Sequence, residues 1–200
     1  TTRDYGWKGG YVGFPIPGVK IRLDADQEID PLAAELVTYE EGGETYHYAL
    51  ISVSRMSDIY KLDLDAQAID IISLGGIPAD MAVSGDSGSS VVVYASNAQV
   101  DIIEHDYFGV ETVDLDDPAN SILISDEMAV LFNTSSTTHD IYRLNIESQE
   151  LVEYVVENPV DSLVLNDSAT HAVAILRPET SGGSGLDAYA DARWGMAIVD

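Results

Sequence analysis

Apolar and polar residues alternate along this chain in short stretches, and Gly, Asp, Asn and Ser stand where the stretches end. Alternation with β-branched enrichment predicts strands. Turn residues at the joints predict tight connections between them. No stretch of 12 residues carries a helical stripe. The nearest is PLAAEL at 31–36, which is short and opens with a proline suited to a helix N1 position. The expectation is an all-β fold.

The pattern also repeats. Residues 59–69 read IYKLDLDAQAI and residues 141–151 read IYRLNIESQEL, matching Ile59 with Ile141, Tyr60 with Tyr142, Leu62 with Leu144 and Gln67 with Gln149, a separation of 82. VDIIEHDYFGV at 100–110 lies midway and fits the template more loosely, so the unit is about 41 residues. A second block keeps the same step: DMAVSGDS at 80–87, NSILISDE at 120–127 and DSLVLNDS at 161–168 each end near an Asp (Asp86, Asp126, Asp167). Each is followed by another β-rich run, SSVVVYAS, MAVLFN or THAVAIL. Two independent blocks on one period make coincidence a poor explanation.

Within one period the pattern predicts four strands, at 79–84, 90–96, 100–105 and 110–115 in the best-defined unit. Four antiparallel strands per unit is the size of a β-propeller blade. Middle strands apolar on both faces, such as Val91-Val92-Val93, suit blade-on-blade stacking. The turn between an inner strand and a Val-rich second strand resembles that of the bacterial WD-like and YVTN-type propellers over residues 45–178, without the Gly-His and Trp-Asp dipeptides of true WD repeats. The resemblance is to an architecture. It implies a binding or scaffolding platform, with enzymes among the relatives.

The units expected are 1–35, 36–75, 76–116, 117–157 and 158–200, with a loop inserted at 179–192 around TSGGSG. VKIRLDADQEI at 19–29 reads as an early hairpin and TYHYALISV at 45–53 as a second strand. That makes about five blade units, the first and last incomplete. Either the termini close a five-bladed ring or the chain is a segment of a larger one; the unfinished last blade favours the segment. The chain opens at Thr1 without Met and without a signal-peptide apolar region, as expected of a processed protein or a piece of a longer one.

Charge narrows the function. Nine Lys and Arg stand against 35 Asp and Glu, a formal charge of −26. Nucleic-acid binding and docking on anionic membranes both need the opposite sign. No run of 18 apolar residues exists to span a bilayer. Cysteine is absent, so disulfides, thiolate metal sites and cysteine nucleophiles are excluded. Asp supplies 22 of the acids, and only three of the bases are Lys. Such a surface suits a salty or calcium-rich medium, where screening relieves self-repulsion, and equally an ordinary acidic surface on a soluble bacterial protein. The expected home is extracytoplasmic.

Several motifs dissolve under the repeat. Gly85-Asp86-Ser87-Gly88 copies the string around the nucleophile of trypsin-like proteases, but Asp86-Ser87 is the repeat's turn element, and His47 is the one upstream base. Asp24, Asp26, Glu28, Asp30 and Glu35 fall in an EF-hand-like register, with Ile29 where glycine should turn the loop. Asp24, Asp26, Glu28 and Asp30 are kept as a candidate calcium site, the alternative being solvated hairpin-tip carboxylates like Asp63 and Asp65. Asp114, Asp116 and Asp117 before Pro118 read as a capped turn. His47, His105, His139 and His171 lack ligand spacing. Trp7, Tyr5, Tyr11, Phe14 and Trp194 suit either seam packing or a partner patch. Asn133-Thr134-Ser135 and Asn166-Asp167-Ser168 match the glycosylation sequon, a pattern common by chance.

Three functions remain. The first is a non-catalytic binding or scaffolding propeller that engages a protein or cation-bridged partner through rim loops. The second is a hydrolase or lactonase-like enzyme with a metal in the central channel, where the inner-strand starts Asp80, Asn120 and Asp161 would face the axis. The third is a structural subunit of a larger assembly. No cofactor beyond calcium is expected.

Overall fold

The computed structural model describes residues 11–12, 21–22, 31–84, 88–135, 137–166, 170–178 and 194–199. Among them there are strands and turns and no helix. Strands β1 (Tyr11–Val12) and β2 (Ile21–Arg22) form a small antiparallel ladder. Four larger antiparallel sheets follow in chain order. Sheet 1 comprises β3 (Pro31–Glu41), β4 (Glu44–Val53), β5 (Asp58–Asp63) and β6 (Ala68–Ser73). Sheet 2 comprises β7 (Asp80–Ser84), β8 (Ser89–Val93), β9 (Gln99–Glu104) and β10 (Val110–Asp114). Sheet 3 comprises β11 (Ser121–Ser125), β12 (Met128–Phe132), β13 (Asp140–Asn145) and β14 (Leu151–Val155). Sheet 4 comprises β15 (Val160–Leu165), β16 (Ala172–Leu176) and β17 (Gly195–Val199).

Each sheet is an up-and-down meander whose first strands neighbour one another, β3 beside β7, β7 beside β11 and β11 beside β15. The strands predicted at 79–84, 90–96, 100–105 and 110–115 lie within a few residues of β7 to β10. The 31–36 segment, the nearest the sequence comes to a helical stripe, is strand. It opens an 11-residue strand that pairs with β4 across a Gly42-Gly43 turn, both glycines at positive φ (62° and 86°). The paired register and that glycine turn override the short run's helical capacity.

Stacking explains the composition. Val91 and Val93 of β8 join Ala129, Leu131 and Leu144 of sheet 3 in one buried cluster. Val130, Phe132 and Ile141 turn the other way and meet Leu163, Ala172 and Ala174 of sheet 4. Val37, Leu50 and Ile59 of sheet 1 meet Met81, Val92 and Ile103 of sheet 2. A strand that feeds two interfaces is apolar on both faces, which is why β8 is buried throughout.

The repeat is visible in the backbone itself. Gln67, Phe108 and Gln149 all sit in the left-handed region, at φ 56°, 54° and 57°, each 41 residues from the last. In the first and third of these turns a carboxylate or amide caps the backbone: Asp63 Oδ1 accepts from the N–H of Asp65 and Ala66 (2.9 and 2.7 Å), and Asn145 Oδ1 from that of Ser148 (2.7 Å).

Sheets are also stapled to one another. Asp80 Oδ2 accepts from the Ile122 N–H (3.0 Å) and Ser84 Oγ donates to the Asp126 carbonyl (2.7 Å), so both ends of β7 are tied to sheet 3. Arg177 has the same role between sheets 3 and 4. Its Nη2 donates to the Thr134 and Val160 carbonyls, and its Nε lies 3.5 Å from Asp161 Oδ1.

Candidate functional site

The turn position shared by Gln67, Phe108 and Gln149 is where the second unit departs from its siblings. A bulky aromatic in left-handed backbone is an outlier, and such outliers persist where the surroundings hold them. Phe108 is held from sheet 1. Its ring meets Tyr48 edge-on at 4.9 Å, and Lys61 Nζ stands 4.1 Å from its centre and 5.2 Å from that of Tyr48. Asp70 Oδ2 fixes the same ammonium at 3.1 Å.

These contacts wall a groove of about 490 Å³ between the outer strands of sheets 1 and 2, lined by Lys61, Asp70, Ile71, Ser73, Tyr107 and Phe108 among others. Ile71 and Tyr107 are mostly exposed on its margins, 60% and 64%. Gly109 lets the Tyr107 ring lie across it, because a Cβ there would strike that ring. The Tyr107 hydroxyl is raised above its ordinary pKa, by desolvation and then by the negative fields of Glu111, Glu104 and Asp106. The groove thus joins an exposed aromatic ring to an acidic border.

A serine–histidine pair nearby has the spacing of a nucleophile and its base, Ser90 Oγ to His105 Nε2 at 2.7 Å. Both side chains are buried, at 0% and 2% exposure, so no substrate reaches them. Burial pushes the His105 pKa down to about 4, with Asp106 opposing, and the pair crosslinks β8 to β9 as a neutral hydrogen bond. Asp101 is likewise structural. It is fully buried and accepts from the Tyr94 hydroxyl, from Thr112 Oγ1 (2.7 Å) and from the Gly75 N–H (3.2 Å).

The axis-facing candidates are each engaged locally. Asp80 is the first residue of β7 and binds Ile122, Asn120 folds its amide onto Thr134 (2.9 Å to its N–H), and Asp161 faces Arg177. Asp24, Asp26, Glu28 and Asp30 lie outside the described residues, as do Gly85 to Ser87, Asp167 and the 179–192 loop; Glu35, the last of that register, lies in β3. Among the described residues no group of three or more His, Asp or Glu is placed to share a cation.

The histidines are dispersed. His47 pairs with Asp65 (3.2 Å), His139 Nδ1 with the Val156 carbonyl (3.1 Å) and His171 Nδ1 with Thr170 (3.0 Å). Asn133 of one sequon is buried and donates to the Pro118 carbonyl (2.6 Å). Of the acidic cluster before Pro118, Asp114 ends β10 and accepts from Gln99 Nε2 across the ladder (3.0 Å), and the Asp117 N–H donates to the Tyr142 phenol (2.8 Å). Sequence reading passed over Phe108 and Lys61. The signal for Phe108 was its place in the 41-residue step, where its counterparts are glutamines.

No family model matches the chain, and no curated protein matches it in sequence. Solved structures do match in shape. Hydrazine synthase of Kuenenia stuttgartiensis superposes with TM-score 0.57 at 17% identity, over 67% of this chain and 40% of that one. Saccharomyces cerevisiae Sqt1 gives TM-score 0.57 at 11% identity, over 79% and 46%. The WD40 repeats of RRP9 give 0.51 at 13%, over 76% and 51%. The chain therefore spans about half the length of the structures it resembles, or less. The fold is a WD-like β-propeller architecture with about four to five blades.

Proposed function

We propose that this chain is a non-catalytic binding or scaffolding propeller whose partner docks at the rim groove between sheets 1 and 2. The observation that carries the reading is Phe108, a strained aromatic that abandons the repeat's glutamine to build a wall beside exposed Tyr107 and Ile71. The partner is an extended, basic protein segment. Glu104, Asp106 and Glu111 border the groove, and the formal charge of −26 steers cations toward the whole surface. An extracytoplasmic bacterial setting accompanies this reading, on the absence of cysteine and the excess of Asp.

The test uses a fluorescently labelled synthetic peptide of alternating valine and lysine. It should bind the full chain in low salt, weaken as salt rises, and lose about tenfold in affinity with Tyr107→Ala, the loss of a modest anchor. Equal affinity for the native chain and the variant, or binding insensitive to salt, overturns the reading.

A further inference from the structure

Strand β6 is the outer edge of sheet 1, with β5 on one side and, among the described residues, no strand on the other. The hydrogen-bond register says which of its main-chain groups are free. The Leu74 N–H donates to the Ser57 carbonyl (3.0 Å), and this pair continues the register of Asp58 with Ser73. Bonded and unbonded pairs alternate along an antiparallel ladder, so Ile72, Asp70 and Ala68 direct their N–H and C=O groups to β5. Ile69, Ile71 and Ser73 turn theirs outward.

Such edges are normally blunted by charge, proline or a bulge. In β6 these guards are weak. Its ladder with β5 runs six pairs without a register shift, it contains no proline, and its one charged residue, Asp70, is held by Lys61 at 3.1 Å. The outer strands of sheets 2 and 3 differ. β10 carries Glu111 and Asp114, and Gln149 of sheet 3 donates to the Glu111 carboxylate. β14 carries Glu153, whose negative field reaches Asp140. On β6 the outward main-chain groups belong to Ile69 and Ile71, whose side chains are exposed at 43% and 60%. Asp70 and Ile72 point to the opposite face, on the side of the rim groove that both line.

We propose that the basic segment taken by the rim groove binds as an added strand of sheet 1, antiparallel to β6. The inference rests on that groove being the docking site. Main-chain bonds to Ile69, Ile71 and Ser73 hold an extended chain, and its side chains then decide which chain is held. Residues directly opposite one another share a face. Positions opposite Ile69 and Ile71 therefore favour apolar, β-branched side chains. The positions between them, opposite Asp70 and Ile72, lie on the groove side, where Asp70 and the border of Glu104, Asp106 and Glu111 favour Lys or Arg. The partner is thus a strand of alternating apolar and basic residues, whose apolar positions supply the N–H groups that bond to β6.

The experiment compares the labelled valine–lysine peptide with two isomers of it, one N-methylated at the valines and one at the lysines, by fluorescence anisotropy with the full chain. Methylation at valine removes the donors aimed at β6, whereas methylation at lysine removes donors aimed at solvent. The valine isomer should bind at least about 100-fold more weakly than the parent and the lysine isomer within about threefold of it. Hydrogen exchange of the complex should show new protection of the Ile69, Ile71 and Ser73 amides. On the chain itself, Ile71→Pro removes one outward N–H and leaves the bonds to β5 in place, so it should weaken the parent peptide about tenfold beyond Ile71→Ala, which keeps the donor. Parent and isomers bound equally, or the lysine isomer the weaker, overturns the added strand and leaves the groove reading standing. New protection on β10 in place of β6 overturns it too. A parent peptide that does not bind at all overturns the groove reading and this inference with it.

Discussion

Removing the Asp101 carboxylate should test the packing of sheet 2 more severely than any surface change. The group is fully buried and receives three donors, the Tyr94 and Thr112 hydroxyls and the Gly75 N–H. Gly75 belongs to the connection between sheets 1 and 2, so the carboxylate ties that linker to β9 and β10. A hydrogen bond to a charged acceptor contributes about 1.5–3 kcal/mol, and a buried donor left unmet costs about 1–3 kcal/mol. Asp101→Ala therefore should cost about 3–5 kcal/mol, a large fraction of the roughly 5–15 kcal/mol typical of a domain. Asp101→Asn should cost only about 1–2 kcal/mol, because the amide oxygen can face Tyr94 and Gly75 while its NH₂ donates to the Thr112 oxygen. Burial, followed by the bond to Asp101, raises the Tyr94 phenol far above its ordinary pKa, so it remains a donor throughout the usable pH range. Urea unfolding followed by circular dichroism measures the series, with an unchanged m-value showing that only stability moved. Asp101→Ala within about 1 kcal/mol of the native chain, or Asp101→Asn as damaging as alanine, would refute the assignment of three satisfied donors.

Other perturbations follow from the same geometry. His105, with its folded pKa lowered to about 4 against about 6.5 unfolded, binds protons preferentially in the unfolded chain. Its contribution is present above pH ~6.5 and is lost as pH falls toward 4, and His105→Gln should flatten that part of a stability–pH curve measured by urea titration. Asp140 acts with the opposite sign. Burial, then its hydrogen bond and repulsion with Asp117, raise its pKa to about 6, so folding is disfavoured as pH rises through that value. Asp140→Asn should raise the melting point at pH 8 by a few degrees, an effect that fades below about pH 5; no gain at pH 8 would contradict the repulsion. Arg177→Met should cost about 2–3 kcal/mol by releasing sheet 4 from the Thr134 carbonyl beside sheet 3 and leaving the Val160 carbonyl of β15 without that donor, read as earlier hydrogen exchange in β15 and β16 than in β8. Asp80→Ala combined with Ser84→Ala should cost about 2–4 kcal/mol in thermal melts, because both ties from β7 to sheet 3 are lost.

Much of the fold was legible because local chemistry and tertiary role agree. Matched Ile59 and Ile141 are both buried middle-strand residues, and matched Gln67 and Gln149 share a left-handed turn, so the 82-residue separation is a structural distance. The strand at 31–41 was not legible because Pro-Leu-Ala-Ala-Glu-Leu carries no β-branched residue; it is imposed by pairing with β4. The candidate site was less legible. Asp80, Asn120 and Asp161 stand at the expected strand starts, but a sequence does not reveal that each finds its own partner in Ile122, Thr134 and Arg177. The rim groove joins Lys61 to Phe108 across 47 positions and two sheets, a juxtaposition set only by stacking. Phe108 itself was available as a break in the repeat, hidden because the middle copy matched its template loosely.

The central claim is that successive 41-residue units form antiparallel sheets stacked face to face. Methyl-labelled nuclear Overhauser spectroscopy tests it most directly. Cross-peaks should join Val91 and Val93 methyls to those of Ala129, Leu131 or Leu144, and Val130 to Ala172 or Ala174. Strong within-sheet contacts, such as Val91 to Ile102, with none of these between sheets would contradict it.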